Sequence, residues 1–322
     1  MDFKDVLEYI KPDLQSVTDG FKDIVDSKIE FTQMHKMLSM VLLGGKMVRP
    51  TLVFLCGRLF DGDISQLKKM ALSAETMHIA TLVHDDAIDS ADLRRGHPTI
   101  NSVYGVDLAI LLGDYLFSRA GHFVADTDNM RAMKLFTKTL GIISQGEIKQ
   151  AVSSYVLDQT YDQYIERMAG KTSALFQMST QSGAILANAP EEAIQALDRF
   201  GYNLGLAFQI VDDIFDYTGN SKDVGKPVGA DLREGTLTLP AAKLLKMYPD
   251  NNPIVEVFNH RNVEENIHKT IEMINRTNII NECYAEAEKY YKLACDDLAG
   301  LPDNKYRDCL YALAGYVIER HS

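Results

Sequence analysis

Two acidic clusters, Asp85-Asp86-Ala87-Ile88-Asp89 and Asp212-Asp213-Ile214-Phe215-Asp216, carry the same D-D-x-x-D spacing in widely separated parts of the chain. On a helix the first and last Asp of each cluster fall four residues apart on one face, so each cluster offers at least two convergent carboxylates. Carboxylates crowded in this way repel one another until a cation joins them. Oxygen-only ligand sets suit hard divalent cations, and Mg2+ is typically held by a few carboxylates together with the phosphate oxygens of a substrate. Two such sets imply a cluster of metal ions around a phosphorylated ligand. A single D-D-x-x-D would read as a solvated helix face. Here Leu82-Val83 and Ala87-Ile88 surround the first cluster and Ile210-Val211 and Ile214-Phe215 the second, so both interrupt strongly apolar helices.

Cations stand near both acidic sets. The segment Asp92-Leu93-Arg94-Arg95-Gly96-His97-Pro98-Thr99 places two guanidinium groups just beyond the first cluster, and arginine binds phosphate directly where acids bind metal. Upstream, Gly44-Gly45-Lys46-Met47-Val48-Arg49-Pro50 joins two helices and carries two more cations. Lys171-Thr172 lies in an apolar helical stretch, Gln209 shares a face with Asp212 three residues on, and Lys226 follows in a glycine-rich segment.

Helical periodicity dominates the elements that must position these groups. Helices are expected near 2–11, 13–27, 30–44, 50–60, 65–90, 101–125, 129–156, 160–187, 191–218, 238–248, 263–300 and 303–320, with prolines mostly at helix starts. Strand-like alternation is almost absent, so the expected fold is all-α. The stretch from Gly219 to Leu237, with four glycines, Pro227, Lys222, Lys226 and Arg233, reads as a long loop, and such loops inside compact domains are commonly functional.

The chain has 322 residues, 46% of them hydrophobic, and no Gly/Ser- or Pro-rich linker, which predicts one domain over 1–322. A formal charge of −12 argues against a nucleic-acid partner and against adsorption to anionic lipid. Cys56, Cys283, Cys295 and Cys309 form no C-x-x-C pair and no secretory signal opens the sequence, so a cytoplasmic protein with reduced thiols is expected. No apolar run reaches membrane-spanning length.

In order and over nearly the whole chain, these elements resemble the trans-isoprenyl diphosphate synthases, in particular the medium- and long-chain bacterial members. The matching motifs are G-G-K-x-x-R-P at 44–50, H-D-D-x-x-D at 84–89, D-L-R-R-G-x-P-T at 92–99, K-T at 171–172, F-Q-x-x-D-D-x-x-D at 208–216 and G-K-P-x-G-x-D-L at 225–232. The resemblance implies a single all-α bundle of about a dozen helices around a central cavity. It further implies a homodimer and three Mg2+ ions per active site with diphosphate bound. By the same resemblance Asp85, Asp89 and Asp212 are the principal metal ligands, with Asp86, Asp213 and Asp216 assisting directly or through water. Arg94, Lys171 and Lys226 would hold the allylic diphosphate, and Lys46, Arg49, His78 and Arg95 the isopentenyl diphosphate. Thr172 and Gln209 would line the reacting centre. The implied chemistry is ionisation of the allylic C–O bond, attack by the double bond of isopentenyl diphosphate, and proton loss in a cavity that excludes water. One position departs from the pattern: Thr236 stands after Gly235 where many relatives have Lys, which puts one phosphate contact in doubt.

Residues below the first cluster are expected to set product length. Thr81 lies one turn, about 5.4 Å, below Asp85 on the same face, and Ala74 lies three turns down. Ala80 enters through the resemblance alone, and Met77 could partly block the path. Short-chain relatives have an aromatic residue at 80 or 81, or an insertion in the acidic motif. This chain has neither, which points to a product of at least twenty-five carbons, with twenty or fifteen as alternatives. Gly201 and Gly205, beneath Asp212, admit two readings: close helix packing, or room for an isoprenoid tail.

Rival readings arise from other pairs of residues. Glu75-x-x-His78 and Glu265-x-x-His268 fit a di-iron bundle, but Val263, Ile267, Ile271 and Ile274 form an apolar stripe that puts Glu265 on the opposite face. A terpene cyclase would carry a different second motif where Asp216 and Asn220 stand. A non-catalytic subunit of a heteromeric synthase would tend to lose one cluster.

Overall fold

The computed structural model describes residues 2–26, 31–42, 44–219 and 228–319. Its α-helices, in chain order, are α1 Phe3–Tyr9, α2 Lys11–Asp26, α3 Thr32–Leu42, α4 Val48–Arg58, α5 Ile64–Ile88, α6 Ile100–Tyr104, α7 Val106–Ala125, α8 Met130–Val152, α9 Tyr161–Met168, α10 Ala174–Leu186, α11 Glu191–Thr218, α12 Ala230–Arg233, α13 Leu239–Met247, α14 Pro253–Phe258, α15 Val263–Asn275, α16 Ile279–Leu298 and α17 Lys305–Glu319. Two-residue strands β1 (Leu93–Arg94) and β2 (His97–Pro98) make the single sheet among the described residues. The all-α expectation holds, and no described helix is long and apolar enough to cross a membrane.

Helix starts obey local chemistry. Asp63 caps α5 by accepting from Ser65 N, Asn129 caps α8, and Thr160 with Gln163 forms a capping box on α9. Three long expected segments are subdivided. The 101–125 helix breaks at Gly105, and the 263–300 segment breaks at Arg276–Asn278, where the Thr277 hydroxyl donates to Ile274 O and competes with the ladder. The 160–187 segment continues through a π-turn at Ala169–Ser173, so Lys171 and Thr172 sit on an extra residue that re-aims them. Helix α14 was not expected from periodicity; Asn252 caps it and Pro253 occupies its first position.

The centre of the bundle is α11, packed along α10 and α16, while α5 packs on α4 and α7. Glycine decides how near α11 comes to its neighbours. A Cβ on Gly201 would stand 2.4 Å from Thr180 Oγ1 and 2.8 Å from Gln177 Cα, and one on Gly205 would stand 2.5 Å from Ser173 Cα. Of the two readings for these glycines, close helix packing is therefore the observed one. The same device joins α8 to the π-turn, where a Cβ on Gly146 would meet the backbone carbon of Gly170 at 3.2 Å.

Candidate active site

Helix α5 is buried almost all round, yet His78, Thr81, Leu82, Asp85 and Asp89 are partly exposed along one face. That face is the helical repeat the acidic cluster requires. Below His78 on this face Ala74 is fully buried, as are Met77 and Ala80 on other faces of α5. Of the four expected length-determining residues, Thr81 alone stands on the open face, with its hydroxyl donating to His78 O at 2.7 Å. On α11 the corresponding open positions are Phe208, Gln209, Asp212 and Phe215.

Lys171 joins the first acidic face to carboxylates from two other helices. Its ammonium feels Asp85 and Asp89 from α5, Glu147 from α8 and Asp231 from α12. Burial by itself would lower its pKa, but these carboxylates outweigh burial and the net shift is upward, so the charge is secure at neutral pH. Lys171 Nζ lies 3.4 Å from Glu147 Oε1 and donates to Gln150 Oε1 at 3.4 Å. The Gly146–Gly170 contact brings these two α8 residues into reach. Arg49 sits in the field of Glu75, Asp212 and Arg95, with its guanidinium 5.3 Å from the Phe176 ring centroid. Burial pushes its pKa down to about 10, still cationic at neutral pH.

Asp86, Asp213 and Asp216 are each engaged by protein donors. Asp86 receives Arg94 Nε at 2.8 and 2.9 Å and Arg94 Nη2 at 2.8 Å. The hairpin makes this possible: Arg95 and Gly96 both take positive φ in the two-residue turn, which folds Arg94 back over α5. Asp213 accepts from Gln209 Nε2 at 2.9 Å and from the Tyr164 hydroxyl at 2.8 Å. Asp216 accepts from the backbone amides of Ala230 at 3.0 Å and Asp231 at 3.2 Å, and so fixes the start of α12. Burial, then the Asp231 charge, raises the pKa of both Asp213 and Asp216.

Burial also raises Asp85, to about 6, with Lys171 pulling the other way. His78 is driven well below its ordinary value by burial and by Arg49, Arg94 and Arg95, so it is neutral at pH 7 and can present one N–H and one lone pair. Thr172 donates to Gln209 Oε1 at 2.5 Å, joining two residues that were expected at the reacting centre. Lys46 is exposed and donates to the Tyr316 hydroxyl at 3.1 Å. Arg95 is exposed at the hairpin turn, and Lys226 lies outside the described residues.

The sequence reading missed Glu147, Gln150, Tyr164 and Asp231 and used Glu75 only in a rival motif. Glu147 and Gln150 share a face three residues apart on a helix that was expected, but nothing local distinguishes them from solvated residues. Tyr164 carries no local signal at all; its role exists only through its contact with Asp213.

The donor set suits a hard divalent cation: carboxylate oxygens, crowded and largely buried, with Asp85, Asp213 and Asp216 all resisting ionisation. Among the described residues no three His, Cys, Asp or Glu side chains close on one point. Mg2+ is typically held by few carboxylates, with the rest of its shell from water and a phosphorylated ligand.

Comparison with known proteins identifies the family. The family model described as polyprenyl synthetase matches residues 32–274. The heptaprenyl diphosphate synthase component 2 of Geobacillus stearothermophilus is 37% identical over 99% of this chain and 99% of its own length. The all-trans-nonaprenyl-diphosphate synthase (geranyl-diphosphate specific) of Rhodobacter capsulatus is 33% identical over 99% of each. A solved polyprenyl synthase from Caulobacter crescentus, complexed with calcium and isoprenyl diphosphate, superposes with a TM-score of 0.92 at 29% identity, covering 100% of this chain and 98% of that one. The chain belongs to the polyprenyl synthetase family and is a prenyltransferase.

Proposed function

We propose that the protein is an all-trans polyprenyl diphosphate synthase that extends an allylic diphosphate with isopentenyl diphosphate to a product of at least twenty-five carbons. The observation that carries this reading is the position of Lys171, in the field of Asp85 and Asp89 of the first cluster and of Asp231, on the segment whose amides Asp216 of the second cluster holds. A single diphosphate in the cleft would meet this ammonium and both acidic faces.

Asp85, Asp89 and Asp212 would hold Mg2+ ions, three in number when diphosphate is bound, with Asp86, Asp213 and Asp216 in support. When bound, these ions neutralise the charge that develops on the leaving diphosphate. Lys171 and Lys226 bind the allylic diphosphate, and Arg94 adds the guanidinium nitrogen it does not give to Asp86. Lys46, Arg49 and Arg95 bind isopentenyl diphosphate, and neutral His78 supplies a hydrogen bond without adding charge. The C–O bond breaks heterolytically, the isopentenyl double bond attacks the allylic cation, and a proton leaves. Thr172 and Gln209 line that centre, and the apolar α5 and α11 flanks keep water from the cation.

Product length rests on Thr81, small and on the open face, and on the hepta- and nonaprenyl products named for the relatives above. The chain acts as one cytoplasmic domain over 1–322. Helices α7 and α8 leave Val106, Ile110, Leu111, Ile148 and Val152 exposed, apolar surface that a second copy of this chain would cover. A heteromeric enzyme, with this chain as the catalytic component, is a second reading favoured by the name of the Geobacillus relative, component 2.

The test incubates purified protein with Mg2+, isopentenyl diphosphate and geranyl, farnesyl or geranylgeranyl diphosphate, with mass analysis of products and light scattering of the protein. A prenyl diphosphate of twenty-five or more carbons made by a dimer is expected. A fifteen-carbon product alone would overturn the length assignment. No product with any primer would leave the heteromeric reading in its place.

A further inference from the structure

Helix α9 carries none of the six clustered aspartates, yet it holds one of them. Tyr164, 4% exposed, donates to Asp213 Oδ2 at 2.8 Å, and Gln209 Nε2 donates to Asp213 Oδ1 at 2.9 Å. Gln209 Oε1 accepts from the Thr172 hydroxyl at 2.5 Å. The direction of every bond in this chain is set from its end. Asp213 accepts from both neighbours, so Gln209 turns its NH2 to Asp213 and its oxygen to Thr172, and Thr172 must donate.

Tyr164 is itself held from three sides. The Thr160–Gln163 capping box fixes the start of α9. Tyr161 donates to Glu286 of α16 at 2.5 Å. Arg167, buried one turn after Tyr164, donates to Leu237 O and to Gln159 Oε1, each at 2.7 Å, with its guanidinium 5.7 Å from the Tyr164 ring centroid. A phenol so restrained delivers its hydroxyl to one place.

Resting on the synthase reading above, we infer that Tyr164 is a positioning residue for the second acidic cluster. Its hydroxyl keeps the Asp213 carboxylate turned away from the cleft, which leaves Asp212 as the cation-facing acid and sets Gln209 and Thr172 at the reacting centre. Consecutive residues on a helix point about 100° apart, so Asp212 and Asp213 cannot both face the cleft without distortion. Without the hydroxyl, Asp213 Oδ2 becomes a buried acceptor with no donor. Its remedy is rotation toward the cations, which breaks the bond to Gln209 and frees Thr172.

The test compares Tyr164→Phe, Asp213→Asn and the double variant. Calorimetric titration of Mg2+ with inorganic pyrophosphate reads the site without catalysis, and steady-state kinetics with farnesyl diphosphate reads the reaction. Tyr164→Phe should weaken Mg2+–pyrophosphate binding about fivefold and lower kcat about tenfold. The KM for isopentenyl diphosphate should stay within twofold and the melting temperature within about 2 °C. The double variant should bind no more weakly than Asp213→Asn alone. Unchanged pyrophosphate binding in Tyr164→Phe, or losses that multiply in the double variant, would overturn the inference. Wild-type protein that binds Mg2+–pyrophosphate but makes no product would sink the reading of a synthase active on its own and leave the binding comparison to decide Tyr164.

Discussion

The two D-D-x-x-D clusters are written alike and built differently. In the first, Asp89 is the C-cap of α5 and partly exposed, and the middle acid Asp86 is held by a side chain, Arg94, from the adjoining hairpin. In the second, α11 runs two residues past Asp216, which is buried and turned back to receive the amides that begin α12. The first cluster therefore keeps its outer acids on the cleft face. The second spends its last acid on ordering the segment that carries Asp231, one of the carboxylates around Lys171. A repeated motif fixes spacing on a helix, and the segment downstream of each helix decides which oxygens remain for a ligand.

This contrast can be broken experimentally. The largest expected effect is symmetrical: Asp85→Asn and Asp212→Asn should each lower kcat about a thousandfold, roughly 4 kcal/mol of transition-state stabilisation, in assays of the first condensation. A loss from only one of them would show that the two faces do not share a ligand. The next effect separates the clusters. Asp216→Ala should lower kcat about a hundredfold and speed hydrogen exchange at the Ala230 and Asp231 amides, because the carboxyl that accepts from both disappears. Asp89→Ala should leave exchange at those amides unchanged, and equal exchange in both variants would contradict the division of roles.

A smaller effect on rate, with a large effect on product, is expected at Thr81. Thr81→Phe should keep the first condensation within about threefold of wild type, since the substitution lies a turn below the reacting atoms, while mass analysis finds shorter chains. An unchanged product would move the floor elsewhere. The smallest effect concerns stability. The folded protein holds the Asp85 proton up to about pH 6, against an ordinary value of 3.8, so this carboxyl favours the folded state most at low pH and loses that contribution as pH rises through 6. Metal-free Asp85→Asn should therefore melt about 2 °C above wild type at pH 8, with the gap narrowing toward pH 5. A variant that melts lower at pH 8 would show that the charge is already compensated without metal.

Much of the fold was legible because its signals are local. Apolar periodicity and caps lie within a few residues of one another, so most helix positions could be read directly, including both that carry the acids. Subdivision was less legible. The π-turn at Ala169–Ser173 packs its Gly170 backbone against Gly146, more than twenty residues away, and the break before α16 falls where a side chain competes with a helix its neighbours would otherwise continue.

For the site, the sequence by itself determined the chemistry: oxygen donors, fixed cations and apolar flanks, because residue type and helical spacing settle charge and facing. Only the tertiary structure decided assignment. It gave Asp86 to Arg94, Asp213 to Tyr164 and Gln209, and Asp216 to the amides of α12, and it brought Glu147 and Asp231 to Lys171. Those outcomes depend on distances between segments far apart in the chain, and a hydrogen bond is decided within a few tenths of an ångström that no local pattern encodes.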